Sequence, residues 1–306
     1  MSSSLLTNNA AMTALMSLNQ TQANLATYEK QVSTGLKISS AADNASYWSI
    51  ATSMNSQVGA LGAVSNALSE SGSMLATMSA ALISTVSIMD NIKNDLVTAQ
   101  QPGTDLSKVQ TDISTQQQML ISIGNSSSFN GQNLLATSGG TIGLVASYDA
   151  TNGVSYINID TSSTALFGTQ VSVGGTLNSG GAGILDQNGT AYTGASILTL
   201  NIQTMNAGAG ATTGDLANLL TNVDAALTSI ESAASTLGAT QTNITEQQNF
   251  ISNLSDSLTS GVGSLVDADM NQASTKISAL QVQQELGVQA LSIANSNTQL
   301  ILRLFQ

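Results

Sequence analysis

The chain holds no cysteine and no histidine among its 306 residues. Those absences exclude a Ser-His-Asp triad, a Cys-His nucleophile pair, thiolate or imidazole metal centres and any disulfide. Basic residues are nearly as scarce: six Lys and Arg stand against 18 Asp and Glu, for a net charge of −12. Nothing between Lys108 and Lys276 is basic. The clustered cations that hold phosphate are therefore missing, and nucleic acid is not expected as a partner. No GxxxxGK or GxGxxG motif occurs, and no carboxylate spacing argues for a pocket, so no catalytic residue, metal or cofactor is expected. The first ten residues carry no Lys or Arg and no apolar core of the secretory kind, so no cleaved signal peptide is expected. No run of about 18 apolar residues occurs, and membrane insertion is not expected. A cytosolic protein fits these absences, and so does export by a route that needs no cleaved signal.

Proline is reduced to Pro102 alone, which leaves long helices uninterrupted. Apolar residues recur every seven positions at Met54, Leu61, Leu68, Leu75, Leu82, Met89 and Leu96. A second, patchy seam runs through Ile50, Gln57, Val64, Ser71, Met78, Thr85 and Ile92. The spacing predicts a coiled-coil-like helix starting after Asp43-Asn44 and ending before Pro102-Gly103, about 85 Å long at 1.5 Å per residue. A shorter helix is expected over 106–123, with Leu106, Val109, Ile113, Gln117 and Leu120 on one face. Leu216, Val223, Ile230, Leu237, Ile244, Ile251 and Leu258 form another seven-residue ladder, with Leu220, Leu227, Ala234, Gln241, Gln248 and Ser255 as its companion seam. Strict repeats of seven favour left-handed coiled-coil packing.

Between these helices the pattern changes. Residues 141–148 and 154–160 are β-prone, and the Asn152-Gly153 step between them marks a hairpin. Residues 161–206 are rich in Gly, Ser, Thr and Asn, with β-prone pieces at 170–173 and 197–202. They are read as a small β-rich insertion, and disorder is the other reading that their composition allows. The ends are helical again. Ala11, Leu18, Leu25 and Val32 repeat at seven. Val282, Leu286, Ala290, Ile293, Asn297, Leu300 and Leu304 step by three and four, while Leu280, Leu291 and Ile301 occupy other faces. A helix apolar on more than one side needs more than one partner. Ends that are mobile in the monomer and ordered in an assembly are expected.

Three groups of residues resemble the bacterial flagellins. The first is Leu5-Leu6-Thr7-Asn8-Asn9-Ala10-Ala11-Met12, followed by Ser33-Thr34-Gly35-Leu36-Lys37-Ile38 and Ala41-Ala42-Asp43-Asn44-Ala45. The second is the turn Phe129-Asn130-Gly131 with Leu134-Leu135. The third is Val266-Asp267-Ala268-Asp269-Met270, with Leu280–Gln284, Ala294–Asn297 and the apolar ending Leu300–Gln306. The resemblance covers both ends and the turn, and 161–206 carries none of it. It implies a mainly α fold of long antiparallel coiled-coil-like helices from both chain ends, with a β-hairpin and a small β-rich inserted outer domain. Residues 1–43 with 267–306 would form an inner tube wall. In that wall Leu5, Leu6, Met12, Leu18, Leu25, Val32, Val282, Leu286, Ile293, Leu300, Arg303 and Leu304 would serve as core and assembly contacts. Residues 44–160 with 207–266 would form the rod layer around the two ladders, and 161–206 would face outward.

The same resemblance implies a structural, non-enzymatic subunit that polymerises into the filament, with sister flagellins as possible co-subunits. Its other implied partners are the flagellar cap, the hook–filament junction proteins, an export chaperone and the type III export apparatus, and its implied location is extracellular. A hook–filament junction protein and a type III secreted translocator or adhesin are the alternative readings. Among single residues, Arg303 is read either as a solvated charge or as one reaching the tube lumen or an acid there. Asp267 and Asp269 are read as charges at the start of the terminal helix, and Tyr47 and Trp48 as packing residues. Asp186-Gln187-Asn188-Gly189 only faintly resembles a calcium loop, lacking the ligand series.

Many flagellins carry a basic patch on the first rod helix that an animal Toll-like receptor reads, whereas residues 87–100 offer only Lys93. Purified monomer is expected to evoke a weak response in receptor-expressing cells, and a potent response at ordinary flagellin doses would refute that.

Overall fold

In the computed structural model the described residues are 8–137, 139–168, 183–187, 189–191, 195–204 and 211–304, with only the backbone described over 297–304. Five helices and a hairpin follow in order: α1 (Asn9–Thr34), α2 (Ala45–Ala99), α3 (Leu106–Ser126), β1 (Thr141–Asp149), β2 (Gly153–Asp160), α4 (Thr213–Val266) and α5 (Met270–Leu304). The chain divides into two compact units, one of residues 1–59 with 255–306 and one of residues 60–254.

Short side chains set the helix starts. The Asn44 carboxamide oxygen accepts from the Ser46 and Tyr47 N–H groups at 3.1 and 3.2 Å and opens α2. Asp105 does the same for α3 through the Ser107 N–H at 3.0 Å. These contacts satisfy donors that the helix itself cannot. Pro102 and Gly103, with φ of 88° at the glycine, turn the chain between the two helices.

Within residues 60–254, α2 and α4 run antiparallel. Gln248 donates to Ser69 at 3.2 Å, Ile244 packs over Gly72, and Lys93 pairs with Asp224 at 2.7 Å. As numbering rises on α2 it falls in step on α4. Leu61, Leu68, Leu75, Leu82, Met89 and Leu96 are all buried, as are Leu216, Val223, Ile230, Leu237 and Ile244. The patchy seam of α2 is buried from Val64 through Ser71, Met78 and Thr85 to Ile92. Its hydroxyls cost little there because Ser71 and Thr85 donate to the carbonyls of Ala67 and Ala81 at 2.8 and 2.9 Å.

Three expectations need correction here. Ile50, Tyr47 and Trp48 are exposed rather than packed: the apolar cluster of Ile38, Val262 and Val266 takes in Ala51 and Met54 from α2 and does not include these three. On α4 the better-buried companion of the ladder is Leu219, Ala226, Ala233 and Thr240. The expected Leu220, Leu227 and Ala234 seam is only half-buried. Lastly, α2 is long and apolar enough, by length and composition, to cross a membrane. Its leucine ladder nevertheless packs inside the protein, as the ladder of a core helix does.

Antiparallel strands β1 and β2 pair from Thr141↔Asp160 to Asp149↔Gly153, with a bulge between Val145 and Ser147. Asp149 Oδ1 accepts from the Thr151 and Asn152 N–H groups at 2.8 Å each, and Gly153 takes φ of 78°. These contacts make the short loop that the Asn-Gly step foretold.

The described part of 161–206 departs from the expected β-rich character. Among its described residues there are turns and one isolated bridge, from Ala136 to Phe167, but no strand, and 170–173 lies outside the described residues. The piece 197–202 is turn, with Ile197, Leu198, Leu200 and Ile202 buried. Buried glutamines of α3 supply the reason. Gln117 donates to the carbonyls of Ile197 and Leu200 at 2.8 and 3.0 Å, and Gln110 accepts from the Ile202 N–H at 2.7 Å. Backbone groups that would have formed a ladder are satisfied by side chains instead. Phe167, fully buried, lays its ring where any Cβ at Gly124 would sit.

Leu82→Ala should lower the unfolding free energy of the dilute monomer by about 3 kcal/mol, the usual cost of a cavity in a tight core. Ile83→Ala, at an exposed neighbour, should cost under about 0.5 kcal/mol. Denaturant titration followed by circular dichroism reads both, and equal losses would contradict the assigned inward face.

Candidate assembly surface

The unit of residues 1–59 with 255–306 brings the two chain ends together. Helices α1 and α5 run antiparallel with closely approaching backbones. Asn8 ties them at one end: its Oδ1 accepts from the Ala11 N–H at 3.0 Å and opens α1, while its Nδ2 donates to the Ala294 carbonyl at 2.9 Å. Midway, Leu18 rests on Gly287, where an added Cβ would lie 3.3 Å from Leu18 Cδ1. On α1 the seam is Ala11, Leu18, Leu25 and Val32, with Leu18 buried and the others half-buried.

On α5 the seam is not the expected one. Ala273 and Leu280 are buried, and Ile277, Gln284, Gly287, Leu291 and Ala294 are half-buried. Val282, Leu286 and Ile293, expected among the core and assembly contacts, are exposed in the single chain. Small residues at Ala273, Gly287 and Ala294 let the α1 backbone come close beside Ile277, Leu280 and Leu291, and Val282, Leu286 and Ile293 lie on the opposite side of α5. Met12 is likewise exposed on α1, beside Leu15 and Met16. Both helices thus present a second apolar face. Leu5 and Leu6 lie outside the described residues, as do the side chains of Leu300, Arg303 and Leu304.

At the other end of this helix pair the chain is knotted by backbone bonds. Gly35, at φ of 72°, ends α1. The Lys37 and Ile38 N–H groups donate to the Val266 carbonyl at 2.7 and 3.2 Å, and the Ala268 N–H donates to the Gly35 carbonyl at 2.9 Å. Beneath lie Ile38, Ala51, Val262 and Val266, with Leu36, Met54 and Leu265 against them. Asp43 holds the adjoining loop. One carboxylate oxygen accepts from the N–H and hydroxyl of both Ser39 and Ser40, at 2.9 to 3.1 Å. Lys30 approaches the same oxygen at 3.3 Å. The Ser40 hydroxyl first, then the Ser39 N–H, holds this carboxyl well below the usual carboxylate range.

The two aspartates before α5 divide their work. Asp269 caps the helix, accepting from the Asn271 and Gln272 N–H groups at 3.0 Å each. Asp267 instead bridges to Leu36 and ends α4 through its own N–H.

The Phe129-Asn130-Gly131 turn sits in the other unit. Phe129 and Gln132 exchange backbone bonds of 2.8 and 2.9 Å. Asn130 and Gly131 occupy the left-handed region at φ of 50° and 79°, where Asn and Gly are the residues least strained. Asn130 also donates to Glu70 on α2 at 2.9 Å, and Asn133 ties the loop to the Gly124 carbonyl at 2.7 Å. Leu134 and Leu135 after the turn are fully buried.

Of the rod ladders, Met54 and Leu258 are half-buried and the remaining residues are buried. Lys93, the lone base on its stretch of α2, is held by Asp224, whose hydrogen bond raises the lysine's pKa. Asp186 is buried, and its two oxygens accept from the Gly168 and Gly183 N–H groups at 2.7 Å each. Gln110, Gln117, Asn8 and Asp186 were not singled out from sequence as anchors. Two glutamines seven apart on the apolar face of α3 were the available signal for the first pair.

Family comparison decides what these paired ends belong to. The bacterial flagellin N-terminal helical region matches residues 5–139, and the C-terminal helical region matches 220–305. Flagellin C of Rhizobium meliloti strain 1021 is 38% identical over 99% of both chains. The chain belongs to the bacterial flagellin family. A flagellin of Brucella melitensis biotype 1 is also 38% identical over 99% of both chains. Flagellin A of R. meliloti strain 1021 is 33% identical over 99% of this chain and all of its own length. This flagellin therefore shares nearly its whole length with those relatives. The two matched regions hold both seams, whereas the hairpin and the segment 161–206 fall between them.

Because the Asp43 carboxyl is depressed in the folded chain, its contribution to stability is fully present above pH 4, the range of an unfolded aspartate. It should be lost as pH falls below that. Asp43→Asn should therefore be less stable than the parent at pH 7, with the gap closing on acidification below pH 4. Melting curves of parent and variant from pH 7 down to 2.5 read this, and a gap that widens in acid would refute it.

Proposed function

We propose that this flagellin is the structural subunit of a bacterial flagellar filament, the propeller of swimming motility, and that copies join through the outward apolar faces of α1 and α5. The observation that carries the reading is the placement of Val282, Leu286 and Ile293 on one helix and of Met12, Leu15 and Met16 on the other, all exposed. One chain buries a single side of its paired ends. A second copy offers the same strips, and burial of apolar surface is the favourable term in association. Contacts that repeat without closing build an open helical polymer.

Residues 1–43 with 267–306 are assigned to the inner tube wall, 44–160 with 207–266 to the rod layer, and 161–206 to the outer side. The terminal segments are proposed to be mobile in the free subunit and ordered in the polymer. Hairpin β1–β2 and the helix ends near Pro102 are proposed as the parts that shift between packings to supercoil the filament. The flagellar cap, the hook–filament junction proteins, an export chaperone, the type III export apparatus and sister flagellins are the proposed partners. The proposed location is extracellular, reached without a cleaved signal peptide. No chemical step is assigned to the chain. Full-length likeness to proteins named flagellin favours the filament subunit over a junction protein or a secreted translocator.

Purified protein given short filament seeds should elongate them under the electron microscope. A version lacking Leu300–Gln306 should not. Failure of the intact chain to elongate, or equal growth by the shortened one, would count against the reading.

A further inference from the structure

With no cysteine in the chain, the thioethers of its ten methionines are its softest targets for oxidation. The fold sorts them. Met78 and Met89 are fully buried and Met74 is nearly so. Met12, Met16, Met119 and Met270 are exposed, at 57%, 72%, 50% and 44%. Met119 lies on α3 and Met270 is the first residue of α5. Met12 and Met16 lie one turn apart on α1 with Leu15, itself 46% exposed, beside them. Met12 and Met16 lie on the side of α1 opposite the seam to α5, and Leu15 lies between that side and the seam. No charged residue occurs on α1 before Glu29, so no ion pair from α1 contributes at this strip.

We propose that Met12 and Met16 are sulfoxidation sites of the free subunit, and that oxidation there reversibly blocks its addition to the filament. This rests on the filament-subunit reading. The co-reactant is a peroxide. The thioether sulfur attacks one peroxide oxygen, the O–O bond breaks, an S–O bond forms, and the other oxygen leaves as water after taking up the proton. Sulfur loses two electrons and the peroxide gains them. The product is a polar sulfoxide whose oxygen needs a hydrogen-bond donor. An apolar counter-surface supplies none, so docking carries a penalty that the thioether did not. A thiol-driven methionine sulfoxide reductase reverses the step.

The test uses the full chain. Monomer is treated with dilute hydrogen peroxide, mapped by peptide mass spectrometry, and added to seeds while elongation is followed by light scattering. Met12, Met16, Met119 and Met270 should oxidise before Met78 and Met89. Elongation should slow roughly tenfold or more, the effect of a docking penalty near 1.4 kcal/mol, and should recover after reductase treatment. Oxidised M12L/M16L should elongate as fast as the same variant left untreated, whereas oxidised M119L/M270L should be as slow as oxidised parent. A variant-free measurement guards against poor assembly of the leucine forms: in partly oxidised parent, Met12 and Met16 sulfoxide peptides should be depleted from pelleted filaments and enriched in the supernatant. Unimpeded elongation by parent converted at both positions, or even partition of the oxidised peptides, overturns the inference while leaving the filament reading intact. Failure of untreated protein to elongate overturns both.

Discussion

Antiparallel seams between parts of the chain far apart in sequence are the constraint on which the rest of this flagellin depends. Asn8 meets Ala294, Leu18 meets Gly287, and Lys93 meets Asp224. None of the long helices has a reason to stay straight and ordered without its partner, because helix propensity alone is a weak force beside the burial of an apolar stripe. The two seams are built differently. Leucine and isoleucine ladders fill the one between α2 and α4. The one with α1 mixes the small residues Ala273, Gly287 and Ala294 of α5 with Ile277, Leu280 and Leu291, and Val282, Leu286 and Ile293 face outward.

Apolar residues on two sides of α5 are what turn a folded chain into a candidate building block. Were Val282, Leu286 and Ile293 the residues facing α1, Leu280 and Leu291 would face outward in their place. With Gly287 and Ala273 facing inward instead, the apolar character of α5 is divided between a fold contact and an exposed face. An unfilled apolar face on a helix is a reason to associate.

A chain with so few charges must fix its loops by other means, and it uses amides, hydroxyls and lone carboxylates. Asp43 gathers four donors from two serines, Asp186 holds the backbone at Gly168 and Gly183, and Gln110 with Gln117 hold the turns at 197–202. Each such group answers backbone donors or acceptors that no helix or strand satisfies. Serines and threonines inside the seams return their hydroxyl to the preceding turn, which lets a polar residue sit in an apolar ladder without an unmet bond.

Periodicity and punctuation by themselves determined the helices, the start of α2 after Asn44, the hairpin at Asn152-Gly153 and the inward ladders of α2 and α4. These depend on neighbours within a few residues, or on a repeat that one helix carries alone. Family motifs at the two ends and in the Phe129-Asn130-Gly131 turn supplied the kinship. Only the tertiary structure decided which face of α5 meets α1, that Tyr47 and Trp48 stay outside, and that 197–202 forms turns. Each of those outcomes turns on partners distant in sequence: a glycine that admits Leu18, a cluster of Ile38, Val262 and Val266 that takes in Ala51 and Met54 but not the residues before them, a pair of glutamines that takes up carbonyls a strand would have used. A sequence states what every residue is able to bury, but a packing partner chooses which of those surfaces is buried.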